Sequence, residues 1–216
     1  MRQSTLALAT LLIATASAHA AVVITEVHPS GSGNAPYAAD FFEIKNTGPG
    51  VVSLDGWKVD DSSNAFATAI SLRGVSALAP GESAIFLETA TDVTTASAFR
   101  TAWYGSANAP ITIGFYNGTG IGLSAGGDSV VLFNGVGTVV TGVNFGASTS
   151  NVTFDNTAGA GSATTPYPTI SALSTAGVNG AFTSAGTPSE VGSPIPEPAA
   201  LAMIGLAGVG LLRRRR

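Results

Sequence analysis

Between residues 21 and 147 short runs of alternating apolar and polar residues are separated by clusters of Gly, Pro, Asn, Asp and Ser. A period of two bounded by turn formers is the mark of β-strands. Ala21–Val27 (AVVITEV) is rich in β-branched residues and stops at His28-Pro29-Ser30-Gly31, a turn signal that puts His28 on a surface turn. Asp40–Asn46 (DFFEIKN) alternates, with Phe42 and Ile44 on one face and Glu43 and Lys45 on a wet face, before the turn Thr47-Gly48-Pro49-Gly50. Val51–Asp60 continues as a strand in which Trp57 and Val59 share a face, and Asp61-Ser62-Ser63-Asn64 closes it as a loop. Leu78-Ala79-Pro80-Gly81-Glu82 predicts a turn into Ser83–Leu87. Strands follow at Ile111–Tyr116, Ser129–Phe133 and Val139–Phe145, the last two joined by a hairpin turn at Asn134-Gly135-Val136-Gly137.

One segment breaks the period. Thr91 or Asp92 can cap a helix reaching Trp103, with Val93, Ala96, Phe99 and Trp103 spaced for one apolar face and Gly105 just beyond. Short strands with frequent turns and a single helix predict a sandwich. Residues 148–193 are rich in Ser, Thr, Gly, Ala and Pro, which predicts an extension that is part folded and part linker, with Val152, Phe154, Tyr167, Ile170 and Phe182 available to pack.

The two ends are patterned differently. Arg2, an apolar run from Leu6 to Ala16 and then Ala18-His19-Ala20 read as a signal peptide over residues 1–20, with Ala18 and Ala20 forming an A-x-A site for signal peptidase. At the other end Pro196-Glu197-Pro198 precedes fourteen uncharged residues, Ala199 to Leu212, and then Arg213, Arg214, Arg215 and Arg216. As a helix the apolar part spans about 21 Å, short of the roughly 30 Å hydrocarbon core. Its arginines favour the cytoplasmic side, which places Pro196-Glu197-Pro198 near the outer membrane–water boundary during a transient insertion in the inner membrane.

This tail, residues 194–216, resembles the PEP-CTERM sorting signal, which in Gram-negative bacteria is read by the membrane protease-transpeptidase exosortase. The resemblance implies that the tail is removed and the body released or transferred to the cell surface, commonly in species that make extracellular polysaccharide. The body resembles a second family. The segments ITEVHPSG, DFFEIKNTG, VVSLDGWKVDD, LAPGESAIFLE and LSAGGDSVVLFNGVGTVVTGVNFG follow the order of lamin-tail domains. Glu26, Phe42-Glu43-Ile44-Lys45-Asn46, Leu54-Asp55-Gly56-Trp57 and Pro80-Gly81-Glu82 carry the likeness. It implies an all-β, immunoglobulin-like β-sandwich over residues 21–147. The helix between Asp92 and Gly105 is an insertion relative to the short animal form, and hydrophobic targeting helices flank the body. The family defines no catalytic set of its own.

Composition narrows the chemistry. Arg2 and the four terminal arginines take five of the nine bases out of the body, leaving four bases against twelve acids between Ala21 and Ser193, a net charge of −8. Such a surface repels phosphate, so nucleic acid is excluded as a partner. No cysteine is present, which removes disulfides, thiolate nucleophiles and cysteine zinc sites. His28 is the one histidine of the body and has no second imidazole for a zinc cage. Asp55, Asp60 and Asp61 cluster in sequence as calcium candidates, although their spacing is not that of an EF-hand loop. Glu26 and Glu43 can serve as a two-carboxylate acid/base pair if their strands adjoin.

Three functions remain, one of them a structural element rigidified by calcium. The first is a non-enzymatic module, exported and processed by exosortase, whose loops bind a polysaccharide or surface protein through exposed aromatics such as Trp57, Trp103 or Tyr104. The second is a carboxylate-dependent extracellular hydrolase, which requires a pocket on which perturbed acids converge.

Overall fold

The computed structural model describes residues 22–118 and 121–194. The leader and the sorting tail expected at residues 1–20 and 194–216 therefore lie outside the described residues, apart from Pro194. In chain order the elements are β1 (Val22–His28), α1 (Gly31–Asn34), β2 (Phe41–Asn46), β3 (Val52–Ser53), β4 (Lys58–Asp60), β5 (Ile70–Ser71), β6 (Ala77–Leu78), β7 (Ser83–Glu88) and α2 (Asp92–Tyr104). The second half holds β8 (Ile113–Tyr116), β9 (Asp128–Phe133), β10 (Val139–Phe145), β11 (Phe154–Asp155), β12 (Thr169–Ile170), β13 (Phe182–Thr183) and β14 (Val191–Gly192).

Two five-stranded sheets form, ordered β11-β1-β2-β7-β8 and β12-β10-β9-β4-β5, with β3–β6 and β13–β14 as separate ribbons. Their alternation supplies the apolar faces that close on each other. Val22, Ile24 and Val27 of β1, Phe42 and Ile44 of β2 and Phe86 of β7 meet Val130 and Leu132 of β9 and Val143 and Phe145 of β10. The expected continuous strand Val51–Asp60 is broken, because Trp57 N–H turns back to the Leu54 carbonyl at 3.0 Å. β3 then pairs with β6, and β4 joins the second sheet beside β9. The extension supplies β11 to the first sheet and β12 to the second.

The outer face of the first sheet is covered, not wet. Phe41, Ile85 and Leu87 point away from the sandwich into a second core with Ala96, Phe99, Ala102 and Trp103 of α2. Phe41 meets the Phe99 ring edge-on at 5.3 Å and the Trp103 ring at 6.2 Å. Glu43, expected on a wet face, is consequently only 1% exposed. Within α2, Gly105 closes the last turn with φ 69° and its N–H on the Thr101 carbonyl, a left-handed conformation that costs glycine little. Thr91 makes no side-chain cap, and the Asp92 carboxylate instead takes Arg73 at 2.5 and 3.1 Å. Val93, assigned to the apolar face, is exposed, and Thr95 and Ala102 take its place in the interface. No helix among the described residues is long and apolar enough to cross a membrane.

Replacing Phe99 with alanine should destabilise the domain by about 3–5 kcal/mol, the usual cost of removing a core ring. Val93→Ala should stay within about 0.5 kcal/mol of wild type in urea denaturation. Equal effects at the two positions would contradict the packing of α2 on the sheet.

Candidate functional site

One extra residue in β1 decides which side chains meet beneath α2. Ile24 pairs with Ile44 and Glu26 with Glu43, so Thr25 is inserted as a bulge. Strict alternation would turn Glu26 and His28 inward beside Val22 and Ile24. The bulge resets the phase: Val27 enters the sandwich core, while Glu26 and His28 face the helix layer with Phe41.

Glu26 has no solvent exposure. Its Oε1 accepts the Thr153 hydroxyl at 2.6 Å and the Ser193 backbone N–H at 2.6 Å. Thr153 shares a 2.7 Å hydroxyl contact with Ser174, and Thr25 donates to Glu43 Oε1 at 2.7 Å. A few ångströms along the same face, His28 Nε2 lies 2.7 Å from Glu190 Oε1, which also accepts the Tyr37 hydroxyl at 3.0 Å. Trp103 Nε1–H donates in turn to the Tyr37 oxygen at 3.4 Å. Gly192 allows this closeness, since a Cβ there would stand 2.6 Å from Glu26 Oε1, 2.8 Å from Thr153 Cγ2 and 2.9 Å from Trp103 Cη2.

Burial pushes the Glu26 carboxyl up to about 8, and the neighbouring Glu43 carboxylate adds to the shift. Burial followed by the charge of Glu190 drives the Tyr37 hydroxyl well above its ordinary range. A second pair lies where β2 begins and β7 ends in the same sheet, with Asp40 buried and Glu88 half-buried; partial burial and then Asp40 raise Glu88 to about 7. Asp40 is itself raised by burial while Ser32 N–H donates to its Oδ1 at 2.8 Å.

The expected sites are distributed otherwise. His28 is not on a surface turn but ends β1 without exposure. Asp55 sits in the turn before β4, whereas Asp60 and Asp61 lie at the far end of that strand, so the three are not brought together. Asp60 Oδ2 instead accepts Ser63 Oγ at 2.7 Å and Ala65 N–H at 2.6 Å, and Asp61 Oδ1 accepts Ser63 N–H at 2.7 Å. Among the described residues no group of three or more His, Asp or Glu is placed to hold a metal ion. Trp57 and Trp103 are core residues at 6% and 2% exposure, so neither offers a ring to a ligand. Glu26 and Glu43 do adjoin, yet neither lines the cavity of about 260 Å³ beside Asp55 and Arg73 or that of about 440 Å³ beside Pro36 and Ala102. Sequence reasoning missed Glu190, Tyr37 and Ser193. Glu190 did leave a signal, being the sole charge between Asn156 and Ile195 in an otherwise neutral stretch.

Two facing sheets with a helix laid on one outer face define a decorated immunoglobulin-like β-sandwich. Residues 15–147 match the lamin tail domain family, and the chain belongs to that family. The match starts inside the expected leader and ends before β11, so β11 to β14 lie beyond it. Residues 194–216 match the PEP-CTERM protein-sorting motif, which supports export across the membrane and processing by exosortase. No curated protein matches the chain.

Glu26 makes stability depend on pH. It keeps its proton to about pH 8 in the fold but loses it near 4.5 in the unfolded chain. Between those values the folded state binds more protons, so stability falls as pH rises through the window and levels off above it. At about 1.4 kcal/mol per pKa unit the total is a few kcal/mol. Glu26→Gln keeps the Oε1 acceptor for Thr153 and Ser193 and has no proton to lose. It should flatten most of that slope in urea denaturation, leaving the smaller contribution of Glu88. An unchanged slope would show that another group titrates.

Proposed function

We propose that this protein is a non-enzymatic binding or structural module of the cell surface or extracellular matrix, delivered by the exosortase route. Signal peptidase cuts after Ala20. The segment Ala199–Leu212 then inserts transiently in the inner membrane with Arg213–Arg216 on the cytoplasmic side. Exosortase acts near Pro196-Glu197-Pro198 and leaves the body from Ala21 through the extension free or surface-attached. The observation that carries this reading is the sorting-motif match directly after the last residues of a folded, acidic sandwich.

A non-catalytic role is supported by where the acids sit. Glu26 and Glu43 are 0% and 1% exposed, and both are engaged by hydroxyl or amide donors of the body. A polymer chain has no path to them, so the raised Glu26 carboxyl serves packing and not hydrolysis. The partner is proposed as a polysaccharide or surface protein met by the loops. Nucleic acid is disfavoured by the net charge of −8.

In producing cells, replacing Pro196, Glu197 and Pro198 together with alanine should trap the precursor with its tail. Intact mass of wild-type material should give a chain that begins at Ala21 and lacks Arg213–Arg216. Normal maturation of the triple variant would refute the route.

A further inference from the structure

The folded body does not end in a loose linker. From Glu190 to Pro194 the backbone is tied down nearly residue by residue. Glu190 N–H donates to Ser184 Oγ at 2.7 Å, and the Glu190 carbonyl accepts Ser184 N–H at 2.8 Å. Val191 N–H donates to the Asn151 carbonyl at 2.8 Å, and the Val191 carbonyl accepts Thr153 N–H at 3.0 Å. Ser193 N–H is held by Glu26, and the Pro194 carbonyl accepts the Tyr104 hydroxyl. Ser193 is 3% exposed, Glu190 has no exposure, and the His28 and Tyr37 contacts fix the Glu190 side chain from the sheet side.

One residue, Ile195, separates this clamp from Pro196. An extended chain gains at most about 3.6 Å per residue, so Pro196 starts within about 7 Å of Pro194 and Ala199 within about 18 Å. A processing enzyme that takes its substrate as an extended strand needs free backbone groups on both sides of the cut. Here the groups immediately before the motif are already spent inside the body.

Taking the exosortase route proposed above as given, we propose that Glu26 and Tyr104 form a latch on the sorting reaction. They hold Ser193 and Pro194 against the sandwich, and the chain preceding Pro196-Glu197-Pro198 reaches the enzyme only when β14 and the residues after it peel away. Both are positioning residues, acting through the chain they hold. The folded body thereby slows removal of its own tail.

The test is pulse-chase of the full-length precursor in producing cells, with tail loss read by mass. About six Gly and Ser residues inserted between Pro194 and Ile195 leave the clamp intact and add roughly 20 Å of reach. That insertion should speed processing with no change in melting temperature, which a purely structural role for the clamp would not produce. Tyr104→Phe removes one clamp donor and should also accelerate processing. Ser193→Pro removes the N–H on Glu26 and should do so about tenfold, as expected for loss of one buried hydrogen bond to a carboxyl group. The triple alanine variant of Pro196, Glu197 and Pro198 separates the two ideas. If wild type is processed, the triple variant is blocked and the insertion gives no acceleration, the latch is overturned and the route stands. If the triple variant matures normally, the route itself fails.

Discussion

The bulge at Thr25 swings the Glu26 carboxyl out of the sandwich, where it accepts the Thr153 hydroxyl and the Ser193 N–H. Hydrogen bonds to a buried neutral polar group contribute about 0.5–1.5 kcal/mol each, and leaving such a group unpaired costs about 1–3 kcal/mol. The arrangement therefore ties three distant parts of the chain, β1, the residues before β11 and the residues after β14, into one seam. α2 closes over that seam with Trp103, whose indole also bounds the space at Gly192. Remove the phase shift in β1 and Glu26 would face Leu132 and Phe42, where nothing polar awaits it.

The seam also sets what the acids can do. A perturbed carboxyl beside a second carboxyl is the usual raw material of acid/base catalysis, and its chemistry depends on a substrate reaching it. Here the protein's own extension occupies Glu26, whose Oε1 takes the Thr153 hydroxyl and the Ser193 N–H. What reads as a site in terms of ionisation is filled by the chain itself.

Much of the framework was legible from period alone. β2, β7, β9, β10 and the hairpin between the last two lie where alternation and turn residues put them, and α2 runs from Asp92 to Tyr104 against an expected end at Trp103. The outer core was written less openly. The unbroken run Ala84–Leu87 and the pair Phe41-Phe42 are what a strand buried on both faces shows, yet β2 also carries Glu43 and Lys45, which suggest water. The buried seam was not legible, because a one-residue bulge leaves no trace in composition and exchanges the two faces of every residue beyond it. Glu190 is separated from His28 by most of the chain, and no local pattern announces such a pairing.

The extension has a bearing on how the molecule avoids sticking to itself. Within the family-matched region β1 and β10 would each be the last strand of a sheet, presenting a row of unpaired amides and carbonyls to any passing strand. β11 and β12, two residues each, sit on those borders, and β12 does so in parallel. A fragment trimmed to the matched region would lose Phe154 and Ile170 from the sandwich core and leave both flanks open for strand exchange, so the packed unit in this chain extends past the family-matched one.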